Sequence, residues 1–182
     1  LKQTRFSSEE DYKENLHFII PENFNFAYDV MDEWARIEPD KVCLLWASER
    51  GEEVRTTYKQ FKEQTDQTAA YLMSLGITRG DKVMLILKRH YQWWLCMMAL
   101  CKIGAIAIPA THMLTKNDII YRNEKAGVKA IICVNDSYVT TQVLESLSES
   151  PTVKVLVAVN SMCESSKPVP EHFHDWFKEW SK

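Results

Sequence analysis

The sequence predicts an α/β fold: a doubly wound, mostly parallel sheet with helices on both faces, preceded by a short β-hairpin. Strand-like and helix-like stretches alternate four times after the hairpin, as expected for parallel strands joined by right-handed crossovers. Residues 82–87 are almost continuously apolar, which is typical of a strand in a sheet covered on both faces. A length of 182 residues with 46% apolar content suits one domain with a sizeable core.

The first part of the chain contains a polar arm, a helix and the hairpin. We expect residues 1–23 to form the polar arm, in which Ser7 and Ser8 precede acidic residues and can cap a short helix that Pro21 ends. From Phe26 onward apolar residues recur at helical spacing, and Pro39 ends that helix. Residues 42–46 and 54–57 are predicted as the two hairpin strands, with a turn between them.

The elements after the hairpin follow from hydrophobic periodicity and from helix-end signals. The predicted helices are residues 58–75, 91–103, 116–125, 136–147 and a short one near residues 176–180. The predicted strands are residues 82–87, 105–108, 130–134 and 153–159. Thr115 is expected to cap the third of these helices, and Gly76, Gly104 and Gly127 stand at helix ends, where glycine is favoured.

Composition excludes several classes of site. There are five glycines, fewer than the usual share of about 7%, and neither GxGxxG nor GxxxxGK[ST] occurs. A glycine-rich loop that holds a nucleotide phosphate is therefore excluded within this chain. The net charge of −3 gives no sign of a nucleic-acid surface. The longest apolar stretch, residues 91–101, is shorter than the roughly 18–20 residues of a membrane span.

The termini and the cysteines set further expectations. Residues 1–11 lack the apolar stretch of a signal peptide, and a first residue other than Met suggests a trimmed or partial chain. No CxxC occurs, so free thiols in a reducing compartment are expected and a zinc site is not. The five cysteines are Cys43, Cys96, Cys101, Cys133 and Cys163.

Ligands of open α/β sheets bind beyond the carboxyl ends of the strands, which here fall near residues 88–90, 109–112, 135–136 and 160–161. The basic run at residues 88–90 either meets a phosphate or, as we favour, forms a solvated turn. Thr111 and His112 are candidates for the lining of a ligand channel. His172 and His174 lie two residues apart, a weak metal-binding pattern, and Trp93 with Trp94 is expected in the core.

Three segments occur in a distinctive order and spacing. They are Thr57-Tyr58-Lys59-Gln60-Phe61, then Gly76-Ile77-x-x-Gly80-Asp81-Lys82-Val83, and then the run from Ala99 through Lys102, Gly104 and Ala105 to Pro109. Together they resemble the N-terminal portion of the AMP-forming acyl-CoA synthetases of the adenylate-forming superfamily, such as acetyl-CoA synthetases and medium-chain fatty acid–CoA ligases. Tyr91-Gln92-Trp93-Trp94 and Asp118-Ile119-Ile120-Tyr121-Arg122 are most similar to the medium-chain branch. The resemblance covers about residues 24–136 and weakens from residue 153.

This resemblance implies a two-step reaction for the parent protein. A carboxylate, acetate or a short- or medium-chain fatty acid, attacks the α-phosphate of ATP and gives an acyl-adenylate and pyrophosphate, with Mg²⁺ neutralising the phosphates. The thiol of coenzyme A then displaces AMP and forms a thioester. Such a site must stabilise charge on phosphoryl oxygens.

The family's ATP loop, its later acidic segment, its hinge and its C-terminal lysine have no match in this sequence. We therefore expect residues 24–182 to be the first α/β subdomain of a large N-terminal domain, inactive alone and binding no cofactor tightly. The resemblance implies that Ala110 and Thr111 form one wall of a coenzyme A channel. Arg122 matches an arginine of the medium-chain branch and either faces a phosphate or lies at the surface. No catalytic and no metal-binding residue is implied.

The sequence departs from acetyl-CoA synthetases after Asp136, where the arginines that meet the coenzyme A nucleotide are replaced by Ser137-Tyr138-Val139-Thr140. The implied partners are a small carboxylate, coenzyme A and the remaining domains of the same polypeptide, with no nucleic acid and a cytoplasmic location. A homodimer through an open sheet edge is a further expectation. Two alternatives remain: a non-catalytic α/β scaffold or interaction domain, and a small flavodoxin-like redox or hydrolytic enzyme.

Overall fold

The structure, a computed structural model, describes residues 5–18 and 20–180. In these ranges the helices are α1 (Glu9–Asn15), α2 (Glu33–Ile37), α3 (Tyr58–Ser74), α4 (Gln92–Ile103), α5 (Lys116–Ala126), α6 (Ser137–Ser146) and α7 (Trp176–Glu179). The strands are β1 (Val42–Ala47), β2 (Glu53–Thr57), β3 (Lys82–Ile86), β4 (Ile106–Pro109), β5 (Val128–Val134), β6 (Val155–Val159) and β7 (His174–Asp175). A π-helical segment, Ala27–Asp32, runs directly into α2.

The main sheet has five strands in the order β4-β3-β5-β6-β7, and every pair in it is parallel. The chain passes from β3 outward to β4 and then crosses back over β3 to reach β5. With right-handed crossovers, this reversal places α4 and α5 on opposite faces of the sheet. Accordingly α3 packs against α4, and α5 packs against α6. The predicted doubly wound sheet is confirmed, and so is the preceding antiparallel hairpin of β1 and β2.

The core lies along the three central strands, whose side chains are buried on both faces. Every described residue of β6 is buried, and in β3 and β5 one residue each, Lys82 and Lys129, is half-buried. Burial of a Leu or Ile side chain contributes roughly 1.5–3 kcal/mol, so these strands dominate the hydrophobic stabilisation. Because both faces are covered, the only accessible part of the central strands is their ends, which is where a ligand can reach them.

Helix ends agree well with the sequence signals. The Thr115 side chain accepts a hydrogen bond from the Asp118 amide while Asp118 bonds back to Thr115, which confirms the predicted cap. The same reciprocal arrangement joins Thr57 and Gln60 at the start of α3. Gly104 ends α4 with a φ of 76°. An added Cβ at Gly104 would lie 3.2 Å from Cγ of Arg79, so both backbone conformation and space favour glycine.

A buried ion pair fixes the π-helical segment to the helices over the sheet. The side chain of Lys102 on α4 is 2% exposed, and its Nζ lies 2.9 Å from Oδ1 of Asp32 and 2.6 Å from Oδ1 of Asp66. Asn25 adds a hydrogen bond from Nδ2 to the carbonyl oxygen of Cys101, 2.9 Å long. The segment before the hairpin is therefore attached to α3 and α4 by charge and by backbone contacts.

Some predictions need correction. α1 ends at Asn15, well before Pro21, because the backbone at Leu16 is already extended, with a φ of −72° and a ψ of 102°. The last central strand begins at Val155, not at residue 153. The two-residue strand β7 has no counterpart in the prediction, since two residues are too few to show a periodicity. Trp94 is 49% exposed, so the prediction of a core position is wrong for it, because α4 buries only one face.

The edges of the sheet bear on the expected homodimer. β4 is one edge, and its first residue, Ile106, is 49% exposed. Pro109 at its end carries no N–H, which limits pairing with a further strand. Dimerisation through this edge stays a prediction. Across the described ranges, no helix combines the length and the apolar character needed to cross a membrane.

Candidate functional site

A cleft of about 1000 Å³ lies at the carboxyl ends of the parallel strands. Its floor and walls come from the loops that follow β3, β4, β5 and β6 and from the turn between β1 and β2. Each of the four strand-end segments predicted from the sequence contributes residues to this one site. Within these segments Pro109 and Asn160 do not line the cleft, and Asn160 is only 2% exposed.

The loop after β3 is held in a constrained conformation at the cleft. Lys88 has a φ of 49°, a left-handed conformation that is uncommon for a residue with a Cβ. Trp46 of β1 donates a hydrogen bond from Nε1 to the carbonyl oxygen of Arg89 over 2.5 Å, and its ring packs edge-on against Tyr91. The amide of His90 donates to the carbonyl of Leu87. The hairpin therefore fixes the loop that presents Lys88 and Arg89.

One carboxylate joins this loop to α6. Oδ2 of Asp136 lies 2.9 Å from Nζ of Lys88, while Oδ1 accepts hydrogen bonds from the amides of Tyr138 and Val139. The hydrogen bond from Lys88 is the main cause that lowers the pKa of Asp136, and burial acts against it. Asp136 is thus an ionised helix cap that also neutralises Lys88.

Two asparagines, which the sequence analysis did not assign, shape the wall after β6. Asn135 donates from Nδ2 to Oδ1 of Asn160 over 2.7 Å and to the carbonyl of Pro168 over 3.0 Å. Nδ2 of Asn160 donates to the carbonyl of Lys167 over 2.8 Å, and Nζ of Lys167 donates to the carbonyl of Asn135 over 2.9 Å. An asparagine directly after each of two neighbouring parallel strands was the signal that could have identified this pair.

The turn of the hairpin reaches across to the loop after β6. Nη1 of Arg50 lies 2.9 Å from Oε1 of Glu164, and both residues line the cleft. The turn itself is organised by Ser48, whose Oγ accepts from the amides of Arg50 and Glu52. This ion pair therefore connects a rigid turn to a loop that lies 114 residues later in the chain.

The cleft is balanced in formal charge, because its four carboxylates, Glu49, Glu52, Asp136 and Glu164, equal its lysines and arginines in number. Burial lowers the pKa of His90, and the Lys88 ammonium acts in the same direction, while the bond to the Leu87 carbonyl opposes the change. His90 is therefore neutral near pH 7. The cationic side chains of the cleft are Arg50, Lys88, Arg89 and Lys167. Two of them are paired with carboxylates, and Arg89 makes no ion pair with the residues that the structure describes.

Ala110 and Thr111, two of the three predicted cofactor-binding residues, line the cleft. The Ala110 amide donates to the Leu85 carbonyl and so extends the pairing of β4 with β3. Arg122 lies on α5 with Nη1 bonded to the carbonyl of Asp118, and it is not among the cleft residues. The structure thus brings Ala110 and Thr111 to the basic loop after β3 and leaves Arg122 apart from them.

The remaining candidate groups show no activated chemistry. Burial strongly raises the pKa values of the Cys96 and Cys133 thiols, and it raises the pKa of Cys43 to about 11. These three thiols are therefore protonated at neutral pH. No group of three or more His, Cys, Asp or Glu residues within the described ranges could hold a metal ion, and this includes His172 and His174. The side chain of Cys163 lies outside the described part.

The fold and the cleft define an α/β domain with a candidate ligand site at the carboxyl ends of its parallel strands. The family model described as AMP-binding enzyme matches residues 31–179. The chain belongs to this family, and its predicted resemblance to the AMP-forming acyl-CoA synthetases is confirmed.

Individual relatives agree with this assignment. The chain is 33% identical over 162 residues to "Acyl-coenzyme A synthetase ACSM3, mitochondrial" of Homo sapiens, with 86% of this chain and 28% of that relative covered. It is 30% identical over 169 residues to "Acyl-coenzyme A synthetase ACSM5, mitochondrial" of Homo sapiens, with 90% and 28% covered. The chain therefore spans less than a third of the length of these relatives. Their names place them in mitochondria, so the predicted cytoplasmic location is wrong.

A solved structure shows the same fold. The acetoacetyl-CoA synthetase from Streptomyces lividans matches with a TM-score of 0.75 at 20% identity, and the match covers 87% of this chain and 25% of that chain. At this level of identity the comparison supports the arrangement of strands and helices and does not bear on individual site residues.

Proposed function

We propose that this chain supplies one wall of the coenzyme A site in an acyl-CoA synthetase that activates acetate or a short- or medium-chain fatty acid. In the parent protein, the acid and ATP form an acyl-adenylate, and coenzyme A then takes the acyl group. The observation that carries the proposal is the position of Ala110 and Thr111 in one cleft with Lys88 and Arg89. Coenzyme A bears phosphates that such basic side chains can bind, and a narrow chain that can lie along small residues.

We propose that the rest of the parent protein, and not this chain, binds the phosphates of ATP. This proposal comes from the five glycines of the chain. All five have positive φ values, between 65° and 84°, and each stands in a turn or at a helix end. No glycine therefore belongs to a glycine-rich loop whose backbone N–H groups could closely approach a phosphate. This supports the proposal that the ATP phosphates are bound by other parts of the polypeptide, and that the 182-residue chain alone is inactive.

Mg²⁺ is a further component implied for the parent reaction. The residues that the structure describes do not fit a site for it, because no group of three or more His, Cys, Asp or Glu side chains is suitably placed. Asp136, the carboxylate closest to the basic loop, is already shared between Lys88 and the start of α6. We therefore assign no step of the reaction to a metal held by these residues.

We propose that the chain's own residues bind coenzyme A and orient it. Arg89 attracts phosphate oxygens, while Lys88 beside it is held by Asp136. The bond from Trp46 to the Arg89 carbonyl keeps their loop in place. Ala110 and Thr111 guide the remainder of the ligand past the end of β4. Neutral His90 can donate or accept a hydrogen bond without adding charge.

Titration of the ¹⁵N-labelled chain with coenzyme A, followed by NMR, tests this proposal. Binding is expected to be weak, since only one wall is present, and the amides of Ala110, Thr111 and Arg89 should shift. Adenosine, which has no phosphate, is the control ligand and should shift them far less. Unchanged amides at the cleft with coenzyme A at millimolar concentration would contradict the proposal.

A second arm of the same titration tests Arg122. Arg122 lies outside the cleft in the structure, so a contact between its side chain and a phosphate is a separate proposal. That contact predicts that Arg122→Gln binds coenzyme A more weakly than Arg36→Gln, which removes the same charge from an exposed pair on α2. Equal binding by the two variants removes Arg122 from the site. Release of pyrophosphate from ATP with any C2–C12 carboxylate by the 182-residue chain would overturn the proposed inactivity.

A further inference from the structure

The ion pair between Arg50 and Glu164 differs from the pair between Lys88 and Asp136 in what its breakage would cost. The Lys88–Asp136 pair is half-buried, with side chains 34% and 39% exposed, and Asp136 also caps α6. Arg50 and Glu164 are 65% and 44% exposed, and exposed ion pairs are worth little, because water screens both charges. The Arg50–Glu164 pair is therefore the one that an incoming ligand can exchange most easily.

The geometry of Arg50 suits such an exchange. A guanidinium group presents two parallel N–H donors, which match a phosphate group as well as they match a carboxylate. Arg50 is carried on a turn that Ser48 organises through bonds to the amides of Arg50 and Glu52. Since the turn is rigid, the side chain can change its partner without refolding of the hairpin.

Glu164 has the opposite effect on a ligand. It lines the same cleft as Arg50, Lys88 and Arg89, and its negative charge opposes an entering phosphate. The hydrogen bond from Arg50 lowers the pKa of Glu164, so the carboxylate is ionised at neutral pH. The Glu164 carboxylate thus pairs with Arg50 and also repels the phosphate that competes for Arg50.

We infer that Arg50 is a phosphate-binding residue held in reserve by Glu164: a phosphate-bearing ligand that enters the cleft takes Arg50 from Glu164. The exchange also breaks the ion pair that joins the hairpin turn to the loop after β6. The inference rests on the proposed function only for the identity of the ligand, coenzyme A. The exchange itself requires only phosphate oxygens.

The test is a titration of the full 182-residue chain with inorganic pyrophosphate and, separately, with coenzyme A at constant ionic strength. Arg50→Gln is expected to bind pyrophosphate about tenfold more weakly, the low end of the effect of a hydrogen bond to a charged group. Glu164→Gln is expected to bind about threefold more tightly, as fits the loss of an exposed competing pair. Arg36→Gln, which removes an arginine from the exposed pair with Glu33, is the matched control and should change binding less than twofold.

The double variant Arg50→Gln/Glu164→Gln separates exchange from general repulsion. If Glu164 acts by occupying Arg50, its removal gains little once Arg50 is gone, and less than half of the threefold effect should remain. The amide of Gly51, next to Arg50, gives a structural readout: it should shift with pyrophosphate in the wild-type chain and stay unchanged in Arg50→Gln. Each variant is first shown by its NMR spectrum to be folded.

Three results overturn the inference: Arg50→Gln that binds like Arg36→Gln, a full gain from Glu164→Gln in the double variant, or no binding of either probe by the wild-type chain. Binding of pyrophosphate with the expected pattern, but not of coenzyme A, supports the exchange while contradicting the proposed function. Binding of both with the expected pattern supports both.

Discussion

Replacement of Lys102 by methionine should be among the most destabilising single changes outside the hydrophobic core. The Lys102 side chain is 2% exposed and contacts two carboxylates, Asp32 at 2.9 Å and Asp66 at 2.6 Å. Methionine fills nearly the same space, so the loss is one of charge and not of packing. Asp32, whose side chain is 13% exposed, is then left without its close partner, since Lys62 lies 4.0 Å from its other oxygen.

The magnitude follows from how well each stranded carboxylate can be hydrated. Removal of one partner from a fully buried ion pair costs about 3–5 kcal/mol. Asp66 is 43% exposed and keeps its 2.6 Å contact with Lys62, so its share of this cost is small. The loss at Asp32 remains, and we expect Lys102→Met to lower the free energy of unfolding by about 3 kcal/mol. With a urea m-value of about 2 kcal/mol/M, the midpoint of unfolding falls by about 1.5 M.

Urea unfolding followed by tryptophan fluorescence measures this change. Lys125→Met, at an exposed pair with Glu124, is the control and should change stability by less than about 0.5 kcal/mol. Asp32→Asn in the Lys102→Met background should recover stability, because it removes the stranded charge. A loss below about 1 kcal/mol for Lys102→Met, or no recovery in the double variant, would refute the reasoning.

Three further predictions concern a helix end, the thiols and acid. Gly104→Ala should lower the free energy of unfolding in urea by about 1–2 kcal/mol, because the position has a φ of 76°. Gly104→Asn should lower it by less, since asparagine tolerates this conformation better than alanine. Equal losses for the two variants would contradict the backbone explanation. Cys96 and Cys133 should resist iodoacetamide at pH 8 in the folded chain, because burial raises the pKa values of their thiols, and they should react in urea. Mass spectrometry measures the labelling, and labelling of either thiol without urea would contradict this prediction. The lowered pKa of Asp136 stabilises the fold above its unfolded pKa, near 4, and this contribution disappears as the pH falls through the lower folded value. Asp136→Asn, which keeps the cap, should therefore be less stable than the wild type at pH 7 but similar to it near pH 2, and a constant difference would argue against the Lys88 pairing.

The fold was largely predictable because its signals are local or periodic. The apolar run of β3, the polar start of α5 at Thr115 and the glycine at the end of α4 each lie within a few residues of the feature that they predict. β7 could not be predicted, since its two residues become a strand only through pairing with β6. The exposure of Trp94 was missed for a similar reason: an apolar helix does not reveal which of its faces meets the sheet.

The site was predictable in position and not in its contacts. The carboxyl ends of the strands follow from the topology, so Ala110, Thr111 and the basic loop could be placed together. The bonds from Trp46 to Arg89 and from Arg50 to Glu164 join residues 43 and 114 positions apart, and neither leaves a trace in local sequence. Arg122 was chosen by resemblance alone, and nothing in its own sequence context indicates the direction of α5 relative to the cleft.

The last helix, α7, and the residue after it pack against α3. Trp180 donates from Nε1 to Oγ1 of Thr68 on α3, and the ring of Trp176 packs edge-on against Tyr71. The two bonded residues are 112 positions apart. At a synthesis rate of about 5–20 residues per second, Thr68 is therefore made roughly 6–22 seconds before Trp180. During that interval Tyr71 on α3 lacks the Trp176 ring that packs against it in the folded protein. This face of α3 is therefore more accessible to other chains during synthesis than after folding.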